Sequence, residues 1–355
     1  MAKKKGKASV WQQKLHNWWQ HKWVRWITYA CVSFSTVLLL VGALNTFVFL
    51  PIKDPVYGVS FSVKEAHNLG VDWKANYLAL LDDMQFKHVR LMSYWDDGET
   101  TRGSLTFDDL DWQFQQANKR GVKISLAIGL RQPRWPECHQ PAWAEQLTGN
   151  TWKQALYAYI EVVVKRYKDN PALETYQLEN EGMNNWFGTC GAPDRERLIE
   201  EFNLVKQWDS GHKIIMSLSD QHGLPLGQPV PDIYGFSVYR IVWNDKIPPH
   251  GYITYPTPIW YHRLRASLIE AIQHRPVIIH ELQMEPWGPV DFKNLSIAEQ
   301  NKSMSTSQIS KSFMFARQLN IKEMYLWGGE WWYWRKVNGD PTIWDTVKQQ
   351  LQSPQ

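Results

Sequence analysis

The sequence predicts an α/β chain: a (β/α)8 barrel, or TIM barrel, preceded by a single N-terminal transmembrane helix. Three observations lead there. Eight apolar, strand-like runs alternate with longer helical stretches from about residue 57 onward, and that alternation calls for a parallel sheet. Eight such units in about 300 residues match a closed barrel with insertions. Polar and aromatic residues gather at the C-terminal ends of these runs, which is where a barrel of this kind carries its chemistry.

The N-terminal part is read first. Residues 1–25 hold seven Lys or Arg and no acid, a basic segment rich in Trp. From Trp26 to Ile52 there is no charge, and Ile27–Leu50 supplies 24 apolar-rich residues, long enough to span a bilayer. Residues 26–50 are therefore expected to be the anchor in the lipid bilayer. The cationic side stays in the cytoplasm, and the rest of the chain, a short linker at 51–56 and a body at 57–355, is extracytoplasmic. A cleaved signal peptide is the rival. The long basic segment, the long apolar run and the lack of an A-x-A-like site weigh against it. Trp11, Leu15, Trp18, Trp19, Trp23 and Trp26 recur at helical spacing. They suit either an amphipathic helix on the inner leaflet or a plain extension of the spanning helix.

The net charge of +4 comes from that tail, since the remainder has 32 basic and 35 acidic residues. A near-neutral body argues against a nucleic-acid partner. The chain has 21 Trp, more large amphipathic rings than a core needs, and such rings suit membrane interfaces and the flat faces of sugars.

In order, the strand candidates are Tyr57–Ser62, His88–Ser93, Lys123–Gly129, Thr175–Glu179, Lys213–Leu218, Asp232–Val238, Pro276–Glu281 and Glu323–Gly328. Between them, Asp72–Phe86, Phe107–Arg120, Thr151–Lys168, Asp194–Asp209, Pro258–His274 and Ile297–Leu319 read as helices from their apolar periodicity. Asp108, Asp109 and Asp111 give the second of these an acidic first turn. The crossover after Leu218 is short and rich in Gly and Pro, so its helix is expected to be rudimentary or missing. An open doubly wound sheet is the alternative fold. The turn after the first strand, Phe61-Ser-Val-Lys-Glu-Ala-His67, lacks the glycine cluster such a sheet would show there.

The strand ends name the candidate site. Arg90 lies on the second strand, followed by Tyr94 and Trp95. The third runs into Arg131-Gln-Pro-Arg-Trp135, and the fourth ends in Asn180-Glu181. The fifth runs on to Asp220, Gln221 and His222. The sixth ends in Tyr239-Arg240, the seventh in His280-Glu281, and the eighth in Trp327 and then Glu330. Asn-Glu after strand four, Glu after strand seven and Trp after strand eight resemble glycoside hydrolase clan A, in particular its cellulase-like family 5 type. Arg90 and Tyr239 match places where that type carries an Arg and a Tyr. The His residues usual near the catalytic pair are absent from their places, and the third strand ends Gly129-Leu130-Arg131.

The resemblance implies a glycosidase acting on O-glycosyl bonds, with Glu181 as acid/base and Glu281 as nucleophile, retaining configuration through a two-glutamate double displacement on β-glycosidic bonds. Arg90 and Tyr239 would hold Glu281 ionised. Asn180 would reach the sugar 2-hydroxyl, Trp327 would floor the reacting subsite, and Trp95, Trp135 and Trp186 would offer further sugar platforms. The expected partner is an oligo- or polysaccharide. A transglycosylase remodelling surface glycans and a non-catalytic carbohydrate-binding protein remain as alternatives.

Other chemistries find no support. His280-Glu281 begins like a zinc-protease helix but has Met284 where the second His belongs. No P-loop, GxSxG elbow or CxxC is present. No metal and no cofactor is expected. Cys31 lies in the apolar span. Cys138 and Cys190 lie in the exported body, free to pair as a disulfide or to remain thiols.

Overall fold

The computed structural model describes residues 18–47, 52–184, 188–218, 227, 229–246 and 248–352, with the side chains of 41–47 excepted. The chain divides into two units, Met1–Leu50 and Pro51–Gln355. In the first, a helix runs over Lys22–Phe47. Its 26 residues extend about 39 Å at a rise of about 1.5 Å each. By length and composition it can cross a membrane. Trp11 and Leu15 lie outside the described residues. Trp18, Trp19, Trp23 and Trp26 are exposed.

The second unit contains the barrel. Its strands are β1 (Val56–Ser60), β2 (His88–Met92), β3 (Lys123–Ile128), β4 (Leu173–Leu178), β5 (Lys213–Ser217), β6 (Ile233–Val238), β7 (Ile241–Asn244), β8 (Gly251–Thr254), β9 (Val277–Gln283) and β10 (Glu323–Trp327). Eight of them close in the order β1-β2-β3-β4-β5-β6-β9-β10, all neighbours parallel. β7 and β8 form a separate antiparallel hairpin inserted after β6. The eight-stranded parallel barrel is the fold expected; the hairpin is not. Its four-residue strands give too short a pattern to stand out.

Barrel strands read with period two. Val89, Leu91, Ile124, Leu126, Tyr176, Leu178 and Phe236 join the main apolar core with helix residues such as Leu80, Phe114, Val163 and Phe313. The residues between them, Arg90, Ser125, Gln177 and Ser237, are buried and polar. The polar face thus belongs to the barrel interior, and the apolar face to the ring of helices.

β9 departs from this alternation. Phe236 pairs with Ile279, but Ser237 pairs with Glu281, so His280 is an extra residue. The shift recurs against β10, where Met324 pairs with Ile279 and Leu326 with Leu282. Ile279 and Leu282 both enter the main core. Strict alternation would have sent Glu281 outward with Ile279; the bulge turns it inward.

The helices follow their start signals. Asp72 caps Trp73–Asp82 and Asp194 caps Arg195–Trp208, each accepting a backbone N–H. The stretch expected as one helix over Ile297–Leu319 is two, Ile297–Ser303 and Thr306–Gln318. Ser305 and Gln308 form a capping box that starts the second, and such a reciprocal cap outweighs a continuous apolar period. Residues 219–226 and 228, including Asp220, Gln221 and His222, lie outside the described residues. The expectation of a rudimentary crossover helix falls mostly there.

Candidate active site

Arg90, carried inward by β2, is 1% exposed and gathers the site around itself. One guanidinium nitrogen donates to Glu281 Oε1 at 3.0 Å and to the His280 carbonyl at 3.1 Å. The other donates to Asn180 Oδ1 at 2.9 Å. Tyr239, just past β6, donates its hydroxyl to Glu281 Oε2 at 2.9 Å. Burial alone would raise the Glu281 carboxyl. The Arg90 charge and the Tyr239 hydroxyl outweigh it and hold the carboxyl below its ordinary value.

Glu181 comes from the turn after β4, in the left-handed region at φ 47°. Its backbone N–H donates to Ser217 Oγ at the end of β5. Its carboxyl is held by Asn184 Nδ2 at 2.8 Å and by the Ser237 hydroxyl at 2.6 Å. Burial first, and then the negative Glu281, push the carboxyl up to about 8. Near neutrality the pair is one protonated acid and one carboxylate. An oxygen of each lies within 4.8 Å of the other. That closeness is compatible with the roughly 5–5.5 Å carboxyl separation of retaining glycosidases.

Glu181, His280 and Glu281 could together offer three ligand atoms to a metal. The chemistry does not fit one. Glu281 is already engaged by the Arg90 guanidinium and the Tyr239 hydroxyl, so a divalent cation would have to displace a buried cation from its partner.

The remaining expected residues separate. Asn180 is in the site, its Oδ1 on Arg90 and its Nδ2 on Glu137. Trp327 is in the site but only 7% exposed, with its indole N–H on Glu285 and the Arg134 guanidinium 4.1 Å from its ring centre, so it is no open platform. Trp135 is 70% exposed at the tip of the loop after β3. Trp95 is a correction. The chain turns into a short helix directly after β2 and buries the indole completely against Trp143 and Tyr159, so it serves the core and not a sugar. Glu330 is fully buried and ion-paired to Arg134, not solvated. Glu179 faces away from the pair and binds Arg197. Trp186 lies outside the described residues.

Five residues of consequence have weak sequence signals. Glu137 is buried beside Asn180, and burial together with the Glu281 charge raises its carboxyl to about 8. Arg134 and Glu285 form a buried pair with a contact at 2.5 Å. Ser237 and Asn184 orient the acid. Arg134 sits in the loop already marked by its polar and aromatic content, and Ser237 directly precedes the end of the sixth strand; Glu137 and Asn184 have no periodicity to reveal them. Cys138 and Cys190 are joined, tying the loop after β3 to the loop after β4. For a loop of 52 residues, the chain-entropy account assigns this link about 4 kcal/mol.

The sequence itself matches no protein-family model and no curated protein. Solved structures do resemble this one. A GH5_18 protein from Bifidobacterium longum subsp. longum, in complex with Manβ1-4GlcNAc, aligns with a TM-score of 0.58 at 14% identity over 83% of this chain and 77% of that one. Xylanase10C from Cellvibrio japonicus, in complex with xylopentaose, gives 0.57 at 13% identity over 86% and 68%. An exo-β-1,4-mannosidase from Opitutaceae bacterium strain TAV5 gives 0.55 at 16% identity over 78% and 53%. At such identities the likeness establishes the shared barrel fold.

Two of the raised carboxyls contribute to a pH dependence of stability in the neutral to alkaline range. Glu137 and Glu181 titrate at about 8 when folded, well above the ordinary value of 4.5. The folded state therefore keeps protons that the unfolded chain loses, and stability falls as pH rises toward 8. His280, held neutral by burial down to about 3, opposes this only below the ordinary histidine value of 6.5. The melting temperature should therefore drop between pH 6.5 and 8, and the drop should shrink in Glu137→Gln. A flat or rising melting temperature across that window would contradict the site's electrostatics.

Proposed function

We propose that the chain is a membrane-anchored retaining β-glycosidase of the clan A type, acting on carbohydrate outside the cytoplasm. The observation that carries this reading is the pair of buried carboxyls, Glu181 and Glu281, within 4.8 Å of each other and shifted in opposite directions. The barrel shared with carbohydrate-complexed proteins supports it.

In the first step a Glu281 oxygen attacks the anomeric carbon. The bond to the leaving oxygen breaks, and the Glu181 proton goes to that oxygen. Forming the ester removes the charge on Glu281. One of the two main causes of the raised Glu181 pKa then lapses, and the now ionised Glu181 can act as a base. In the second step Glu181 takes a proton from water as the water oxygen attacks the same carbon, freeing Glu281 as carboxylate. The net change is hydrolysis with retention. Asn180 and Trp135 are assigned to substrate binding, with Asn180 exchanging its bond to Glu137 for the sugar 2-hydroxyl.

The anchor is the helix Lys22–Phe47, with the cationic N-terminus inside. Protease added to intact cells should digest the body and spare an N-terminal tag; the reverse pattern would refute this orientation.

Kinetics of the full chain in detergent test the chemistry. Glu281→Gln should abolish turnover of aryl β-glycosides while the fold survives. Glu181→Gln should lower kcat/KM by about 10²–10⁴ for poor leaving groups, and far less for 2,4-dinitrophenyl glycosides, which need no proton. The wild-type alkaline limb should lie near pH 8, where Glu181 loses its proton, and should vanish in Glu181→Gln. Unchanged turnover in a folded Glu281→Gln variant would rule the assignment out.

A further inference from the structure

The loop after β3 is a built strap. Arg131 and Cys138 pair across its base, and Glu137 is turned back by bonds to Gln132 and Arg134. The Gln132 side chain binds both the N–H and the carbonyl of Ser93, past the end of β2. The Pro133 carbonyl accepts the Tyr94 hydroxyl at 2.8 Å. From there Arg134 crosses to the far loops. It binds Glu285 beyond β9 and Glu330 beyond β10, and lies over the Trp327 ring. Glu330 in turn accepts the Ser62 N–H just past β1. Arg134, Glu285 and Glu330 are each at most 8% exposed. The strap therefore seals the barrel mouth over β10, β1 and β2.

The acid lies on the other side. Glu181 is held from β4, β5 and β6, through Asn184, Ser217 and Ser237. A proton donor must stand beside the leaving oxygen, so the aglycone leaves toward β4–β6. The glycone, bonded to Glu281, extends toward the sealed side.

We propose that the strap closes the glycone end of the site, with Arg134 as its specificity-determining residue, so that the protein removes a single neutral sugar from the non-reducing end of a β-linked chain. This rests on the assignment of Glu181 as acid and Glu281 as nucleophile. A second glycone sugar would have to displace a guanidinium bound by two carboxylates. Arg134 and Arg90 are both engaged by carboxylates, so neither offers an acidic sugar an uncompensated charge.

The test uses the full chain in detergent with 4-nitrophenyl β-glycosides of single sugars and with reducing-end-labelled β-linked hexasaccharides of glucose, mannose, xylose and N-acetylglucosamine. The expected result is turnover of a monosaccharide aryl glycoside, with labelled pentasaccharide as the sole first product from the matching hexasaccharide. 4-Nitrophenyl β-glucuronide should react at least 100-fold more slowly. Labelled first products of several lengths, turnover of hexasaccharides but of no single-sugar aryl glycoside, or a fast glucuronide would overturn the proposal and leave the catalytic pair standing. No turnover of any probe would overturn both. Arg134→Ala leaves buried carboxylates unpaired and risks unfolding, so the companion variant is Arg134→Met/Glu285→Gln/Glu330→Gln. If folded by near-ultraviolet circular dichroism, it should release mixed-length products; pentasaccharide alone would refute the strap's role.

Discussion

The ion pair between Arg90 and Glu281 is the constraint on which the site depends. Both groups sit inside the barrel, where water cannot solvate them, so each needs the other and further hydrogen bonds as well. Arg90 meets that need with three oxygens from two strand ends, binding Glu281, the His280 carbonyl and Asn180 at once. Removing one partner of such a pair typically costs about 3–5 kcal/mol, because the other charge stays buried. The pair also sets the chemistry next door. A Glu281 kept ionised is one of the two reasons, after burial, that Glu181 keeps its proton.

This arrangement needs Glu281 to face inward, and the alternating pattern of β9 does not deliver that. Val277 and Ile279 face the helices, so Glu281 would follow them outward. The extra residue at His280 resets the phase, returning Leu282 to the helix side and Glu281 to the interior. A bulge beside a reactive side chain re-aims it at the expense of regular pairing. Glu181 is placed by a comparable local departure, a non-glycine residue in the left-handed region, where strain persists only if its surroundings enforce it. Ser217, Asn184 and Ser237 supply that enforcement.

Much of this was legible in the sequence. The eight strands announce themselves because a helix-covered barrel needs apolar residues at alternate positions, and strand ends such as Asn180-Glu181 and His280-Glu281 stand out against them. What escaped has physical causes. Trp95 reads as a rim aromatic, but a short helix directly after β2 turns it into the core. The bulge at His280 depends on pairing with β6 and β10, which lie far away in sequence. Glu137, Arg134 and Glu285 acquire meaning only when three loops meet. The β7–β8 hairpin is too short to impose a period, and the capping box at Ser305 divides what a continuous apolar pattern joins.

The site is thus asymmetric twice over. Its carboxyls differ in charge, and the buried Arg134 of the strap ties the loops after β10 and β9 together on one side while Glu181 is held from β4–β6 on the other. The most direct measurement of the central claim is the mass of the full chain after exposure to a panel of 2,4-dinitrophenyl 2-deoxy-2-fluoro-β-glycosides, followed by peptide mapping. The fluorine slows release of the intermediate, so the covalent species accumulates. The account predicts one fluoroglycosyl unit per chain, attached to Glu281. An adduct on Glu181 or Glu137, or the same labelling in Glu281→Gln, would contradict it.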